Sequence, residues 1–304
     1  MELIKLNFGL VDVFAGEPLS GNGLSIFILE RELQSDFMQR ITQEMRQYES
    51  IFISKTEDPH CFNARIFTME EELGFAGHPI IGAACFLHAK YFHGVEKLKL
   101  SFVTPQKRIP TVSAINKAGN FAEMEQGEAV FQLPIDSDRA EELLNALTLT
   151  STDVPGGLPL QVVSTGLPYL IVPTLNALSR VRINTQYFES MLASVGAEFA
   201  YVLDVPFKEG RTWDNDGKSE DIATGSAVGP AAAYLVKHGL AQVGEIIDFK
   251  QGRFVGRPSK LLATVRNESG LMVKVRGQVS FVGSGSLELP GHLFPRSVTA
   301  DCQI

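Results

Sequence analysis

The chain has 304 residues, and 44 % of them are hydrophobic and 20 % charged, which excludes a mainly disordered chain and is typical of a globular protein with a substantial core. The formal net charge of −8 gives no electrostatic footprint for nucleic acid, and no apolar run reaches the ~18–20 residues of a membrane-spanning helix. The N-terminus lacks a signal-peptide pattern, so we expect a cytoplasmic protein with no membrane or nucleic-acid partner. The three cysteines, Cys61, Cys85 and Cys302, are scattered, which predicts reduced thiols and no zinc site.

In the first part of the chain, the hydrophobic pattern predicts two helices, each followed by a strand. Ser35 is the predicted N-cap of a helix whose apolar side chains recur about every fourth residue, at Leu33, Phe37, Ile41 and Met45. Residues 51–53 form a short apolar strand candidate. Residues 80–92 are apolar on nearly every side, which predicts a buried helix with Pro79 at its first position. Residues 97–102 alternate between polar and apolar side chains, as a half-exposed strand does.

The second part of the chain shows the same order. Thr185 is the predicted cap of a helix that holds three apolar residues, Phe188, Leu192 and Val195. Residues 199–203 are a strand candidate, and residues 227–236 form a second helix without a polar face.

An internal repeat connects the two parts. Residues 72–87 and 220–235 are identical at 5 of 16 positions with an offset of 148 residues. An arginine followed two positions later by an aromatic residue precedes each copy, at Arg65 and at Arg211. These matching upstream positions favour duplication over coincidence.

The repeat predicts an α+β fold with two pseudo-symmetric halves. Each half is expected to be a mostly antiparallel sheet wrapped around a central apolar helix. Glycine and proline cluster between residues 127 and 157, so we place the N-terminal half at residues 1–128 and the C-terminal half at residues 129–304.

Two glycine-containing turns, residues 74–79 and 221–226, precede the two apolar helices. Free backbone N–H groups at a helix N-terminus form a ready anion site, and a pseudo-twofold axis would bring both sites to one cleft. Alternatively, Gly77 and Gly225 merely allow a tight turn into a buried helix. Two matched turns, each with an ionisable or hydroxyl residue, favour a functional site.

Three ionisable residues are candidates for chemistry, and each has an ordinary alternative. His78 is expected to be a neutral imidazole at a helix N-terminus, although a single histidine is more often structural. Asp221 is placed to be a plain helix-capping carboxylate. Glu49 leads into an apolar strand, where burial would raise its pKa and suit it to acid–base chemistry, or it is a surface residue at the end of a helix.

Two weaker patterns lie elsewhere in the chain. Gly21-Asn22-Gly23 is most simply a turn, and residues 256–259 form a loop that either places one cation near an acidic ligand or is exposed. No dinucleotide-binding, P-loop or metalloprotease motif is present.

These features together resemble the PhzF-like family, named for the phenazine biosynthesis isomerase. The resemblance spans most of the chain. Its most specific parts are the Gly77-His78 turn and the Asp-x-x-Thr-Gly-Ser-Ala stretch at residues 221–227, and the segments at residues 11–14, 21–22, 65–68 and 256–259 support it.

The resemblance implies a diaminopimelate-epimerase-like fold, a homodimer, and no cofactor or metal. In the phenazine isomerase, a glutamate moves a proton on trans-2,3-dihydro-3-hydroxyanthranilate, assisted by a histidine and an aspartate. These catalytic roles fall here on Glu49, His78 and Asp221. The candidate substrate-binding residues are Gly77, Gly225, Ser226, Thr224 and Asn22.

The chain departs from the family pattern beside Glu49. The usual Glu-Asn-x-Ser-Glu-Thr has Arg46 in place of the asparagine, Tyr48 in place of the serine and Ser50 in place of the threonine. The change affects the expected substrate more than the expected chemistry.

The leading hypothesis is a cofactor-independent isomerase that transfers a proton on a small carboxylate-bearing substrate. One alternative is a ligand-binding or interaction protein of the same fold that has lost turnover. The other is a two-thiol epimerase or racemase, which is disfavoured because neither turn contains a cysteine.

Overall fold

The computed structural model describes residues 3–291, which form a mixed α+β structure. The helices are Ser35–Met45 (α1), Gly77–Tyr91 (α2), Ser137–Ala146 (α3), Phe188–Ser194 (α4) and Gly225–Lys237 (α5). The first eight strands are Leu3–Val13 (β1), Asn22–Leu29 (β2), Glu49–Lys55 (β3), Cys61–Thr68 (β4), Glu72–Leu73 (β5), Lys97–Val103 (β6), Arg108–Asn116 (β7) and Gly119–Glu128 (β8). The others are Val130–Pro134 (β9), Gln161–Ser164 (β10), Pro168–Thr174 (β11), Phe199–Asp204 (β12), Glu209–Arg211 (β13), Ile246–Gln251 (β14), Ser259–Asn267 (β15) and Leu271–Pro290 (β16).

The strands form one continuous, mostly antiparallel sheet that curls around two helices. Its order is β1-β2-β3-β4-β6-β7-β8-β16-β15-β14-β13-β12-β11-β10-β9, with β5 beside β4. Strand β16 also pairs with β1, which closes the first part of the sheet into a ring. The predicted fold, sheets wrapped around apolar helices, is confirmed.

Helices α2 and α5 lie inside this sheet because neither has a polar face. Helix α2 packs against β7, β8 and β1, and α5 packs against β15, β16 and β11. At Gly82 the helix approaches its surroundings closely, since a Cβ there would lie 2.6 Å from Leu24 Cδ2 and 2.9 Å from Val13 Cγ2. Pro79 is the third residue of α2, so its predicted first position is wrong, but it still falls in the turn whose N–H groups have no helical partner.

The predicted strands at residues 51–53, 97–102 and 199–203 are found as β3, β6 and β12. Burial alternates along β6, with Leu98, Leu100 and Phe102 inside. Both predicted caps are wrong. The N-cap of α1 is Gln34, and Ser35 Oγ instead accepts a hydrogen bond from Arg65 Nη2 at 2.6 Å. The N-cap of α4 is Tyr187, and Thr185 Oγ1 accepts from the Tyr187 amide before the helix starts.

Corresponding elements occur in both halves. Helix α1 connects the parallel strands β2 and β3, and α4 connects the parallel strands β11 and β12. The repeat also reappears as two ion pairs, Arg65 with Glu72 and Arg211 with Glu220. Both arginines therefore bind the glutamate at the start of their own repeat.

The division at residues 128 and 129 remains a prediction. It falls between β8 and β9. Strand β16 belongs to both parts of the sheet, because it pairs with β15 and β8 through its first residues and with β1 through residues 279–290.

Candidate active site

The N-termini of α2 and α5 lie against each other. A Cβ on Gly77 would lie 3.6 Å from the Ser226 amide nitrogen, and a Cβ on Gly225 would lie 4.0 Å from the His78 amide nitrogen. The two first turns are therefore in van der Waals contact, and what restricts a larger residue is a neighbouring side chain: Met124 Cε would lie 2.8 Å from a Cβ at Gly77, and Phe14 Cζ 3.0 Å from one at Gly225. Two sets of backbone N–H groups without helical partners face each other there, which creates an electropositive region.

Glu49 lies beside this junction as the first residue of β3. It is 8 % exposed and His78 is 6 % exposed, so the surface interpretation of Glu49 is wrong for this structure. His78 Nδ1 is 3.2 Å from Glu49 Oε2. The geometry of this contact is not that of a hydrogen bond, so Glu49 Oε2 has no hydrogen-bond partner among residues 3–291.

Burial changes the protonation of both side chains. Desolvation, and secondly the charge of Asp221, raises the pKa of Glu49 to about 8. Desolvation lowers the pKa of His78 to about 3. The contact at neutral pH therefore joins a neutral imidazole to a carboxyl that is protonated in most molecules. A carboxyl with a pKa near the working pH can both accept and donate a proton.

Asp221 is held from both halves. Its Oδ1 accepts a hydrogen bond from Asn22 Nδ2 at 3.1 Å, and its Oδ2 accepts one from Thr224 Oγ1. Gln251 Nε2 donates to the Asp221 carbonyl at 2.9 Å. Desolvation raises the pKa of Asp221, while the bonds from Thr224 and Asn22 act in the opposite direction. Asn22 begins β2, so the predicted turn ends at this residue and its side chain belongs to the site.

Three residues near α5 carry no motif that sequence reasoning could use. Tyr169 OH is 2.8 Å from Ser226 Oγ. Gln126 Nε2 donates to the Gly225 carbonyl at 2.7 Å, and Gln126 Oε1 accepts from Thr165 at 3.1 Å. Gln126 occupies a buried position of the mostly polar strand β8 and Tyr169 lies in the buried strand β11, whereas Thr165 lies between β10 and β11, where no strand pattern applies.

Several buried polar atoms in this region have no hydrogen-bond partner within residues 3–291. They are Asn22 Oδ1, Glu49 Oε2, His78 Nε2 and Tyr201 OH. An unpaired buried polar group costs ~1–3 kcal/mol. Unpaired donors and acceptors that gather around two helix N-termini are typical of a site that binds a polar molecule.

The loop at residues 256–259 is bound to the N-terminal part of the chain through Arg257. Arg257 Nη2 donates to Asp12 Oδ1 at 2.7 Å, and its Nε donates to the Gly21 carbonyl at 2.7 Å. Gly21 has a left-handed φ of +62°. The cation therefore fixes the turn before Asn22, and Asp12 neutralises its charge.

Comparisons with known proteins agree with this architecture. The family model PhzC-PhzF, described as phenazine biosynthesis-like protein, matches residues 11–285. The chain belongs to this family. It is 30 % identical over 300 residues to trans-2,3-dihydro-3-hydroxyanthranilate isomerase of Pseudomonas fluorescens, covering 93 % of this chain and 99 % of that protein. An uncharacterized isomerase of Clostridium acetobutylicum is 29 % identical over 302 residues, covering 94 % and 99 %.

Two solved structures are also similar. A predicted epimerase from Pseudomonas aeruginosa has a TM-score of 0.86 and 44 % identity, covering 93 % of this chain and 99 % of that one. A probable proline racemase from Agrobacterium radiobacter has a TM-score of 0.60 and 10 % identity, covering 94 % and 93 %, and shares the fold alone. This PhzF-family chain is an isomerase, as predicted.

The described residues were also compared with the requirements of a metal site and of a membrane-spanning helix. Among residues 3–291, no group of three or more histidine, cysteine, aspartate and glutamate side chains could hold a metal ion. No helix in the same range has the length and hydropathy needed to cross a membrane.

The raised pKa of Glu49 predicts a pH effect on stability. The folded state keeps this proton up to about pH 8, while the unfolded state releases it near the ordinary value of 4.5. The stabilisation is thus complete below the unfolded pKa and is lost as the pH rises towards 8. The lowered pKa of His78 has the opposite effect on stability, but only below pH 6.5, the ordinary pKa of histidine. We expect stability to fall from pH 6.5 to 8, measured by urea unfolding, and to fall less in Glu49→Gln. Parallel curves for the two proteins would contradict the assignment.

Proposed function

We propose that the protein is a cofactor-independent isomerase that uses Glu49 to move a proton between two carbons of a small carboxylate-bearing substrate. The observation that supports this most directly is the Glu49 carboxyl itself. It is buried beside two helix N-termini, 3.2 Å from a histidine whose pKa is lowered to about 3 by burial. Buried carboxyls with shifted pKa values are common among catalytic acids and bases.

The substrate carboxylate is assigned to the junction of α2 and α5. Free N–H groups in the first turns, around Gly77, Gly225 and Ser226, would donate to its oxygens. His78 Nε2 is buried and has no hydrogen-bond partner among the described residues, and it would bond a polar group of the same substrate. An anion there would also interact favourably with the N-terminal ends of both helix dipoles.

Asp221 is assigned an orienting role rather than the proton transfer. Thr224 and Asn22 hold its carboxylate, which leaves it little freedom to follow a moving proton. Asn22 Oδ1 has no hydrogen-bond partner within the described residues and would accept from a hydroxyl or amino group of the substrate. The substrate class is therefore a carboxylate that also has a hydrogen-bond donor.

A relative at 30 % identity is named for trans-2,3-dihydro-3-hydroxyanthranilate, which combines these groups. We propose a substrate of the same chemical type for this chain, and not necessarily the same compound, because Arg46, Tyr48 and Ser50 alter the surroundings of Glu49. Homodimer formation, a cytoplasmic location and independence from metals are further predictions that follow from the resemblance.

The test is proton exchange in D2O. The enzyme is incubated with trans-2,3-dihydro-3-hydroxyanthranilate and with a panel of small hydroxy- and amino-carboxylates that raise its melting temperature. Carbon-bound deuterium is then measured by NMR. We expect at least one binding carboxylate to gain deuterium with the wild-type enzyme and not with Glu49→Gln. If no binding compound exchanges, a ligand-binding protein without turnover is the better interpretation.

Thiol modification separates this proposal from the two-thiol alternative. Cys85 is buried within α2, where desolvation raises the pKa of its thiol, and Cys61 is buried at the start of β4. Cys302 lies outside the described residues. We expect activity to be unchanged after iodoacetamide treatment, with the modified thiols counted by mass spectrometry. Activity that is lost in proportion to one modified cysteine would favour thiol chemistry.

A further inference from the structure

A second contact joins the two halves beside Glu49. Arg46, the residue that follows α1, has a left-handed φ of +56°, and the next two residues lead into β3. Tyr48 OH is 3.0 Å from Ser219 Oγ in the other half. Each of the two residues is close in sequence to a candidate carboxyl: Tyr48 immediately precedes Glu49, and Ser219 lies two residues before Asp221. The contact thus joins the two segments that carry the candidate carboxyls.

The 214–219 loop is the longer of two corresponding hairpin turns. In the N-terminal half, Phe67 pairs with Glu72, and in the C-terminal half Trp213 pairs with Glu220. The second turn is two residues longer and extends to Tyr48. Its own hydrogen bonds give it a defined shape, since the Asp214 amide donates to the Ser219 carbonyl at 2.9 Å and the Gly217 amide donates to the Asp214 carbonyl at 2.8 Å.

The phenol of Tyr48 is half-buried and close to both carboxyls. Burial raises its pKa most, and the charge of Asp221 adds to the effect, with a smaller effect from Glu49. Asn22 bonds Asp221 in the same segment. The segment from Ser219 to Asp221 is therefore held at two points by the half that contains Glu49.

We propose that Tyr48 is a positioning residue, whose hydrogen bond to Ser219 holds the 214–219 loop closed over Glu49 and Asp221 and keeps water away from them. The proposal rests on the proposed role of Glu49. A serine at this position, as in the family pattern, is too short to make the same contact. The device is thus particular to chains with a long side chain at position 48.

The loop has its own spectroscopic probe. Trp213 is the single tryptophan of the chain, and it is 7 % exposed at the base of the loop. Acrylamide quenching of its fluorescence therefore reports loop opening without any need for substrate or turnover. The variants are Tyr48→Phe, Ser219→Ala and the double variant, and Tyr91→Phe is the control because Tyr91 lies at the end of α2 and retains its ring.

Loss of one hydrogen bond should shift the balance between closed and open loop by about fivefold. We expect both single variants to increase the quenching constant, the double variant to add nothing further, and Tyr91→Phe to match the wild type. Unchanged quenching in the single variants, or additive effects in the double variant, would overturn the proposal. This result does not depend on whether Glu49 is the catalytic residue.

A pH profile tests the link to Glu49. The groups that face Glu49 are His78 from α2, Asp221 before α5, Tyr169 from β11, and Tyr48 itself. An open loop admits water, so the ionisation of Glu49 in the kcat/KM profile should move to lower pH in Tyr48→Phe and Ser219→Ala. A profile that does not move, in variants whose quenching increases, would show that the loop does not shield Glu49.

Discussion

Glu49→Gln is expected to reduce turnover by ~10²-fold or more, the scale of general acid–base catalysis. Glutamine keeps the shape of the side chain but cannot accept and return a proton. Ligand binding and the fold should stay nearly intact, since Glu49 forms no aligned hydrogen bond with another described residue through Oε2. The measurement is kcat on a carboxylate identified by deuterium exchange, with ligand binding measured by calorimetry.

Glu44→Gln is a matched control, because Glu44 is an exposed residue of α1 and lies five positions before Glu49. It should behave as the wild type in both measurements. Normal turnover by Glu49→Gln would require a different base. A large loss of binding with kcat unchanged would assign Glu49 to substrate recognition.

Arg211→Met is expected to destabilise the folded state by ~3–5 kcal/mol, because Glu220 is then left buried without its partner. Arg211 Nε donates to Glu220 Oε1 at 2.9 Å, and the two side chains are only 4 % and 8 % exposed. The guanidinium also lies 4.4 Å from the Trp213 ring centroid and 4.2 Å from that of Phe254. Urea unfolding followed by far-UV circular dichroism measures the change.

The internal repeat supplies the control for this prediction. Arg65 pairs with Glu72 in the same way, but those side chains are 33 % and 27 % exposed. Water screens that pair, so Arg65→Met should cost about 1 kcal/mol or less. Replacing both partners, Arg211→Met with Glu220→Leu, should recover part of the loss, because no unpaired charge remains. Equal losses for Arg65→Met and Arg211→Met would show that burial does not decide the energy of these pairs.

The sequence by itself determined the elements whose causes are local or periodic. The apolar residues of α2 and α5 leave each helix no polar face, so each must be buried, and the alternation along β6 orients that strand. The repeat at an offset of 148 residues predicted two related parts and two matched turns. The residue types at these turns, with the glutamate that begins β3, made Glu49, His78 and Asp221 candidates, and the family resemblance gave them their catalytic roles.

Only the tertiary structure decided which polar groups meet. Asn22 and Asp221 are 199 residues apart, and Tyr169 and Ser226 are 57 apart, so no local pattern encodes either contact. The same holds for Ser35. Its hydroxyl could cap its own helix, but in the structure it accepts a hydrogen bond from Arg65 of strand β4. For residues 256–259 the sequence offered an exposed turn or a cation near a ligand, and the structure instead pairs Arg257 with Asp12 and the Gly21 carbonyl. Local propensity lists the partners that a polar side chain can have, and the packing of distant segments, through burial and the competition for hydrogen bonds, selects among them.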